Sequence, residues 1–412
     1  MSDKKEIYVG SEIGSLRKVF LHRPGQELKC ITIDNKDELL IDEIVWVERA
    51  QENHDEFAEL LRKNGSEVIY FQDCLTDIVK DKELRSQLID DALLLETHDR
   101  LLADTLKQTL MEMAPEEVSA TLIGGMTKKD ALKRIGSVKS LTFSSTEDSA
   151  FFFHPLPNLY FQRDPYFFVH NAVILSVMRF PARQREPLYA RYIFQYHPLF
   201  NGVKIIFGAG KSDNDHHPNS VEGGDFLVLN DNVVAIGVSQ RSLAGTVQAV
   251  GSKLASEIGI KKVLAFDIPK HRAYMHLDTV FTMVDRDAFT IYPGVHETMR
   301  VWELDYEENG NLAKITESRD LFDCMRKNLG VDKIRSIETG GGDPVAASRD
   351  QWNDGTNTLA IAPGVVVTYE SNTVSNKVLR DNGVTVYEIN GSELGKGRGG
   401  PRCMSMPLKR EG

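Results

Sequence analysis

Cysteine is scarce, with four in 412 residues. Cys30, Cys74, Cys324 and Cys403 lie far apart with no CxxC pair, which indicates neither a disulfide framework nor a zinc site and leaves free thiols. Long apolar runs are missing: no stretch reaches the roughly 18 residues that a membrane span requires. The N-terminal MSDKKEIYVG has no apolar segment behind its lysines, so no secretory signal is expected and the chain reads as cytoplasmic. Positive charge is in deficit, 49 Lys and Arg against 60 Asp and Glu, for a net charge of −11. Phosphate backbones are bound by concentrated positive charge, so nucleic acid is not an expected partner. An acidic chain instead attracts small cations.

What remains is 41% hydrophobic and 26% charged, enough to bury a substantial core. SLRKVFLHRPG opens with a strand stopped by Pro24 and Gly25, Ile41 to Lys63 has helical apolar spacing, and Glu67 to Phe71 is a short strand. The run DKELRSQLIDDALLLETHDRLLADTLKQTLMEM is amphipathic, and further helices are expected after Pro115 and in TKKDALKRIG. No strand signal interrupts this region. Residues 74–148 are therefore expected as an all-helical insertion between the two parts, 1–73 and 149–412, of an α/β catalytic unit.

Beyond residue 148 one pattern recurs: an acidic head, a strand, a polar turn and a second strand, mostly followed by a helix and a third strand. The heads are Asp164, Asp225, Asp278 and Asp343, at intervals of roughly 60 residues, a period that marks repeated supersecondary units. With the N-terminal unit they make about five ββαβ modules. Such units bury their faces by stacking, and five without polar caps favour a closed ring, a five-bladed pseudo-symmetric α/β propeller with the acidic heads converging on its centre.

Around these heads stand Asp164 in FQRDP, Glu222 in VEGGD, and His276 with Asp278 in MHLD. His276 and Asp278 are two apart, so on a strand they share a face. A histidine, several carboxylates and a cysteine suit nucleophilic attack on a cationic substrate. Cys403 follows the glycine- and arginine-rich GKGRGGPRC, a positive and flexible setting that favours thiolate, but the carboxylates oppose one, so the thiol is expected to be largely protonated in the free protein and activated as a cationic substrate binds. Blander readings stand beside these: a lone Asp in a strand–turn unit is most often a cap or turn residue, which applies to Asp225 and Asp343. Asp213, Asp215, His216 and His217 read as a solvated loop rather than a metal site, because no i, i+4 ligand spacing is present. GKGRGG matches GxGxxG but is followed by Pro401 and a short tail, which leaves no room for the required helix.

FQRDP, VEGGD, MHLD and GRGGPRCMSMPL, in this order, resemble the arginine deiminase family of the guanidine-modifying, pentein-type superfamily. The resemblance spans essentially the whole chain, including the helical insertion. It implies hydrolysis of L-arginine to L-citrulline and ammonia with no metal or organic cofactor. Cys403 then corresponds to the nucleophile and His276 to the general acid and base. Asp164 and Asp278 correspond to the carboxylates on the guanidinium, and Glu222 to an acid beside His276. Asn158, Arg183, Arg241 and Arg398 match residues that bind the amino-acid end of the substrate. An agmatine deiminase would leave the three arginines without a partner, and a dimethylarginine hydrolase would be shorter and lack the insertion. A generic cysteine amidase would not need several cation-binding acids. A non-catalytic arginine-binding protein on the same scaffold would not need the full set of acting residues. The amphipathic insertion could supply a face for a homo-oligomer, a dimer or higher. The tail itself reads as a lid over the central channel, so truncation just before Cys403 is expected to abolish activity with little loss of folding.

Overall fold

Alternating apolar residues after each head form an antiparallel strand pair, and the amphipathic stretch that follows returns the chain as a third strand parallel to the second. A parallel neighbour requires such a crossover, because a hairpin can only reverse the chain. The computed structural model describes residues 6–210, 212 and 215–412. The first unit contains β1 (Ser15–Leu21), α1 (Gln26–Lys29), α2 (Val47–Lys63) and β2 (Glu67–Tyr70), with β1 and β2 parallel. The expected helix over 41–63 therefore begins six residues late. Ile41 is instead buried in a small separate cluster with Ile31 and Leu39, which holds the preceding segment as a loop. Phe71, expected at the end of the second strand, starts a helix and packs its ring 5.7 Å from that of Phe20.

Next come α3 (Phe71–Lys80), α4 (Lys82–Glu96), α5 (Arg100–Glu112), α6 (Pro115–Gly124), β3 (Met126–Thr127), α7 (Lys128–Leu132), α8 (Leu141–Ser145) and β4 (Phe151–Phe153). The region is not free of strands: Gly125, at φ 84, turns the chain so that β3 pairs with β4. Asp81 and Asp99 cap α4 and α5 and divide the long amphipathic run into separate helices. Leu88, Leu102 and Leu122 join the same core as Phe167 and Val234, so these helices share their packing with the sheets that follow.

The second module is β5 (Tyr166–Val169), β6 (Ala172–Leu175), α9 (Arg185–Tyr196) and β7 (Lys204–Phe207). The third is β8 (Phe226–Asn230), β9 (Val233–Val238), α10 (Ala244–Ile258) and β10 (Lys262–Asp267). The fourth begins with β11 (Phe281–Asp285), β12 (Ala288–Ile291) and α11 (Pro293–His296). Its hairpin, β13 (Arg300–Tyr306) and β14 (Leu312–Ser318), extends the preceding sheet through β10 before α12 (Leu321–Leu329) and β15 (Arg335–Glu338) complete the module. The fifth is α13 (Pro344–Trp352), β16 (Leu359–Ala362), β17 (Val365–Tyr369), α14 (Thr373–Asp381) and β18 (Thr385–Ile389). The last strand, β19 (Met406–Glu411), runs antiparallel to β1 and supplies the missing partner of the first sheet, ordered β19-β1-β2. No helix among the described residues is long and apolar enough to cross a membrane.

The C-terminus is thus built into a sheet, which corrects the reading of it as a lid. Met404, Met406 and Leu408 are all within 1% of full burial. At about 1.5–3 kcal/mol per buried side chain, their loss is comparable to the whole stability of many domains, about 5–15 kcal/mol. A chain ended after Arg402 is expected to lose its cooperative thermal transition and its near-UV dichroism. Retention of both would return the tail to the role of a lid.

Candidate active site

The segment just before the opening strand of each module carries one part of the site. Asp164 precedes β5, Glu222 precedes β8, His276 and Asp278 precede β11, Asp354 precedes β16 and Cys403 precedes β19. All are buried, none more than 4% exposed. His276 Nε2 lies 2.9 Å from Glu222 Oε2, and its Nδ1 lies 3.6 Å from Asp164 Oδ1. Cys403 donates from Sγ to Asp278 Oδ2 at 3.6 Å. The paired glycines of VEGGD make this approach possible. A Cβ on Gly224 would come 2.5 Å from His276 Nδ1, and one on Gly223 would meet the Arg163 carbonyl.

The carboxylates are partly satisfied by arginines of the chain itself. Arg183 Nη1 bonds Asp164 Oδ2 at 2.5 Å and its Nη2 reaches Glu186 at 2.7 Å. Arg241 Nη1 lies 3.1 Å from Glu222, with its guanidinium 4.6 Å from the centre of the Phe180 ring. Arg398 stacks 3.7 Å from the Trp352 ring centre, and its Nε and Nη1 are buried without a partner. Asn158 donates its amide to the Leu39 carbonyl at 2.6 Å. Asp164 Oδ1 and Asp278 Oδ1 are likewise buried without hydrogen-bond partners. Two open carboxylate oxygens beside a thiol and an imidazole can receive a planar cation with several N–H donors.

Electrostatics divides the roles. Burial disfavours charge on His276, but the Asp164 carboxylate and the Glu222 hydrogen bond outweigh it and raise its pKa to about 9. Burial likewise opposes the Glu222 carboxylate, yet Arg241 and His276 hold its pKa down at about 2. Burial, then Asp278, Asp164 and Asp354, push the Cys403 thiol well above its ordinary value, against the pull of Arg402. The flanking arginines alone do not make a thiolate here, because the carboxylates around the thiol oppose it.

Asp225 and Asp343 are structural. Asp225 accepts from Ser239, Ser242 and the Leu277 N–H, and exposed Asp343 caps α13 through the N–H groups of Val345 and Ala346. The fifth module offers Asp354 toward the site instead. Among the described residues no three His, Cys, Asp or Glu side chains gather as a metal site, and Asp213 lies outside those residues.

Two further residues were not readable as functional. Asn357 accepts from the N–H groups of Gly400 and Cys403 at 3.1 and 2.9 Å and donates to the Asp278 carbonyl at 3.2 Å, fixing the cysteine turn to its acid. Arg402, 1% exposed, bonds Asp278 Oδ2 at 2.7 Å, the Phe226 carbonyl at 2.8 Å and Glu12 at 3.1 Å. The residue next to the thiol thereby aims the acid that the thiol touches. The only available signal was an arginine adjacent to the cysteine.

A sequence profile described as arginine deiminase matches residues 37–410. An arginine deiminase of Streptococcus pneumoniae is 44% identical over 409 residues, 98% of each chain. One from Streptococcus gordonii is 43% identical over 411 residues, again 98% of each. A solved amidinotransferase of saxitoxin biosynthesis from Microseira wollei superposes with a TM-score of 0.55 over 99% of this chain and 98% of its own, at 12% identity. That likeness concerns the fold alone.

Removing one partner of a buried ion pair costs about 3–5 kcal/mol. Arg402→Ala is therefore expected to destabilise the protein by that amount in urea unfolding, and Asp278→Asn in the same chain to restore part of it. An undiminished midpoint in the single variant would contradict the pairing. In a Cys403→Ala background, the His276 imidazole followed by NMR should titrate near 9, protonated below and neutral above. Glu222→Gln should move that midpoint downward, and no movement would show that Glu222 does not hold the proton.

Proposed function

The chain belongs to the arginine deiminase family, and from that premise we propose that it hydrolyses L-arginine to L-citrulline and ammonia through a covalent amidino-cysteine. The observation that carries the reading is the cradle of two open carboxylate oxygens, on Asp164 and Asp278, around the Cys403 thiol and the His276–Glu222 pair. Asp164 and Asp278 hold the guanidinium nitrogens and place its carbon for attack. As the Cys403 Sγ–C bond forms, the thiol proton passes to Asp278. His276, protonated at neutral pH, gives its proton to the departing nitrogen, and the C–N bond breaks. Neutral His276 then takes a proton from water, whose oxygen attacks the thiouronium carbon. The C–S bond breaks, the thiol regains a proton, and the surplus proton leaves with ammonia as ammonium.

The open donors of Arg398 support a substrate with a carboxylate, and the same reading gives Arg183, Arg241 and Asn158 to its amino-acid end. Substrate access requires a covering segment to move. The loop 31–46, whose Leu39 carbonyl receives Asn158 and whose Ile31, Leu39 and Ile41 form their own small cluster, is the segment we assign to this. A closed five-bladed propeller is supported by contacts of β19 with β5, β11 with β8, β11 with β16 and β16 with β1, together with the Val177–Val221 bridge between the second and third modules. Exposed Leu94, Leu95 and Leu101 on the helical region support a homo-oligomeric assembly. Free cysteines, three of them buried, suit a cytoplasmic site of action.

Citrulline release should be lost in Cys403→Ala. Wild type quenched in acid during turnover should carry the mass of arginine less ammonia, and Cys403→Ala should not. Full activity of that variant, or an adduct formed without Cys403, would end this account.

A further inference from the structure

Asp354 and Arg398 are opposite charges placed near one another yet unpaired. Asp354 is 3% exposed with Oδ2 buried and without a partner, and Arg398 is 4% exposed with Nε and Nη1 in the same state. Burial, then Asp278 and Asp42, raise the Asp354 carboxyl to about 7 against the pull of Arg398 and of the Gly399 N–H. No hydrogen bond or salt bridge joins them, and the Arg398 guanidinium lies instead against the Trp352 ring. Both residues also hold left-handed backbone, φ 56 at Asp354 and φ 66 at Arg398. Such conformations in non-glycine residues persist where the surrounding structure enforces them, often at ligand-binding positions.

Leaving two buried charges unmatched is unfavourable unless something else completes them. The simplest completing group has an anion and a cation on one carbon, which is the α-carbon of an amino-acid zwitterion. We infer that Asp354 is the specificity residue for the α-ammonium of the substrate, opposite an Arg398 that receives its carboxylate. This rests on the arginine reading of the same pocket. Asp164 and Asp278 answer one cationic end of the molecule, and Asp354 answers the other.

The test uses Cys403→Ala, which can bind without turnover, with and without Asp354→Asn. Asparagine keeps the size of the side chain and is among the residues that best tolerate a positive φ. The ligands are L-arginine and 5-guanidinopentanoic acid, the same molecule without its α-ammonium, titrated by calorimetry. Cys403→Ala is expected to prefer L-arginine. Adding Asp354→Asn should weaken L-arginine binding about 10- to 100-fold, the loss of one charge-assisted contact, and leave the analogue unchanged. No preference in Cys403→Ala, a preference that survives Asp354→Asn, or equal weakening of both ligands overturns the assignment, the last marking a merely structural role. Failure of Cys403→Ala to bind L-arginine at all would instead strike the arginine reading.

Discussion

A carboxylate removed from water must be matched, and this requirement organises the interior. Asp164, Glu186, Glu222, Asp278 and Glu12 are buried close to Arg183, Arg241, Arg402 and Arg163, and each acid engages at least one of these cations. Burial alone would neutralise such groups or expel them. Burial opposes the charge on Glu12 as well, yet Arg402, Arg163 and Arg410 hold its pKa below the ordinary value. The pairing is incomplete where a ligand is needed: Asp164 and Asp278 each spend one oxygen on a protein arginine and leave the other open. The same ion pairs that make the acids tolerable also orient them.

This arrangement depends on how the chain closes. Because β19 pairs with β1, the cysteine turn is strung between the first sheet and Asn357 rather than left at a loose end. The Arg163 N–H donates to the Cys403 carbonyl, and Arg402 reaches back to Glu12 near the N-terminus. A thiol at the tenth position from the end is held as firmly as a residue in mid-chain. The glycines before it serve close approach: a Cβ on Gly400 would meet the Asn357 carbonyl and side chain at 2.6–3.0 Å.

The legible part of the site was the part that repeats. Of the four periodic heads, Asp164 and Asp278 lie in the cradle and Asp225 and Asp343 are structural, while Glu222 and His276 stood out through the VEGGD and MHLD motifs around the heads. Asp343 keeps to the plainer reading as a cap: GGGDP carries a glycine run and an acid like VEGGD, but its acid precedes a helix and caps it. Asp354 was overlooked because DGTN reads as a turn. Arg402 and Asn357 act through partners that proximity in the chain cannot disclose: Arg402 meets Glu12 and Asp278 across 390 and 124 residues. The late start of α2 escaped for a related reason, since Ile41 fits the helical spacing but is claimed by a loop cluster.

The thiol presents the sharpest consequence of these charges. With Asp278, Asp164 and Asp354 around it, the uncharged form of Cys403 is favoured in the absence of a ligand, and Arg402 is already committed to Asp278 and Glu12. His276 cannot accept the thiol proton at neutral pH, because it already carries one. A cation placed on the open oxygens of Asp164 and Asp278 changes the balance, since it neutralises the two acids that most oppose the thiolate. In the reaction proposed above, the group that does so is the substrate's own guanidinium, which also presents the carbon to be attacked. Activation and recognition are then one electrostatic event, and a ligand that fails to engage both aspartates leaves the cysteine protonated.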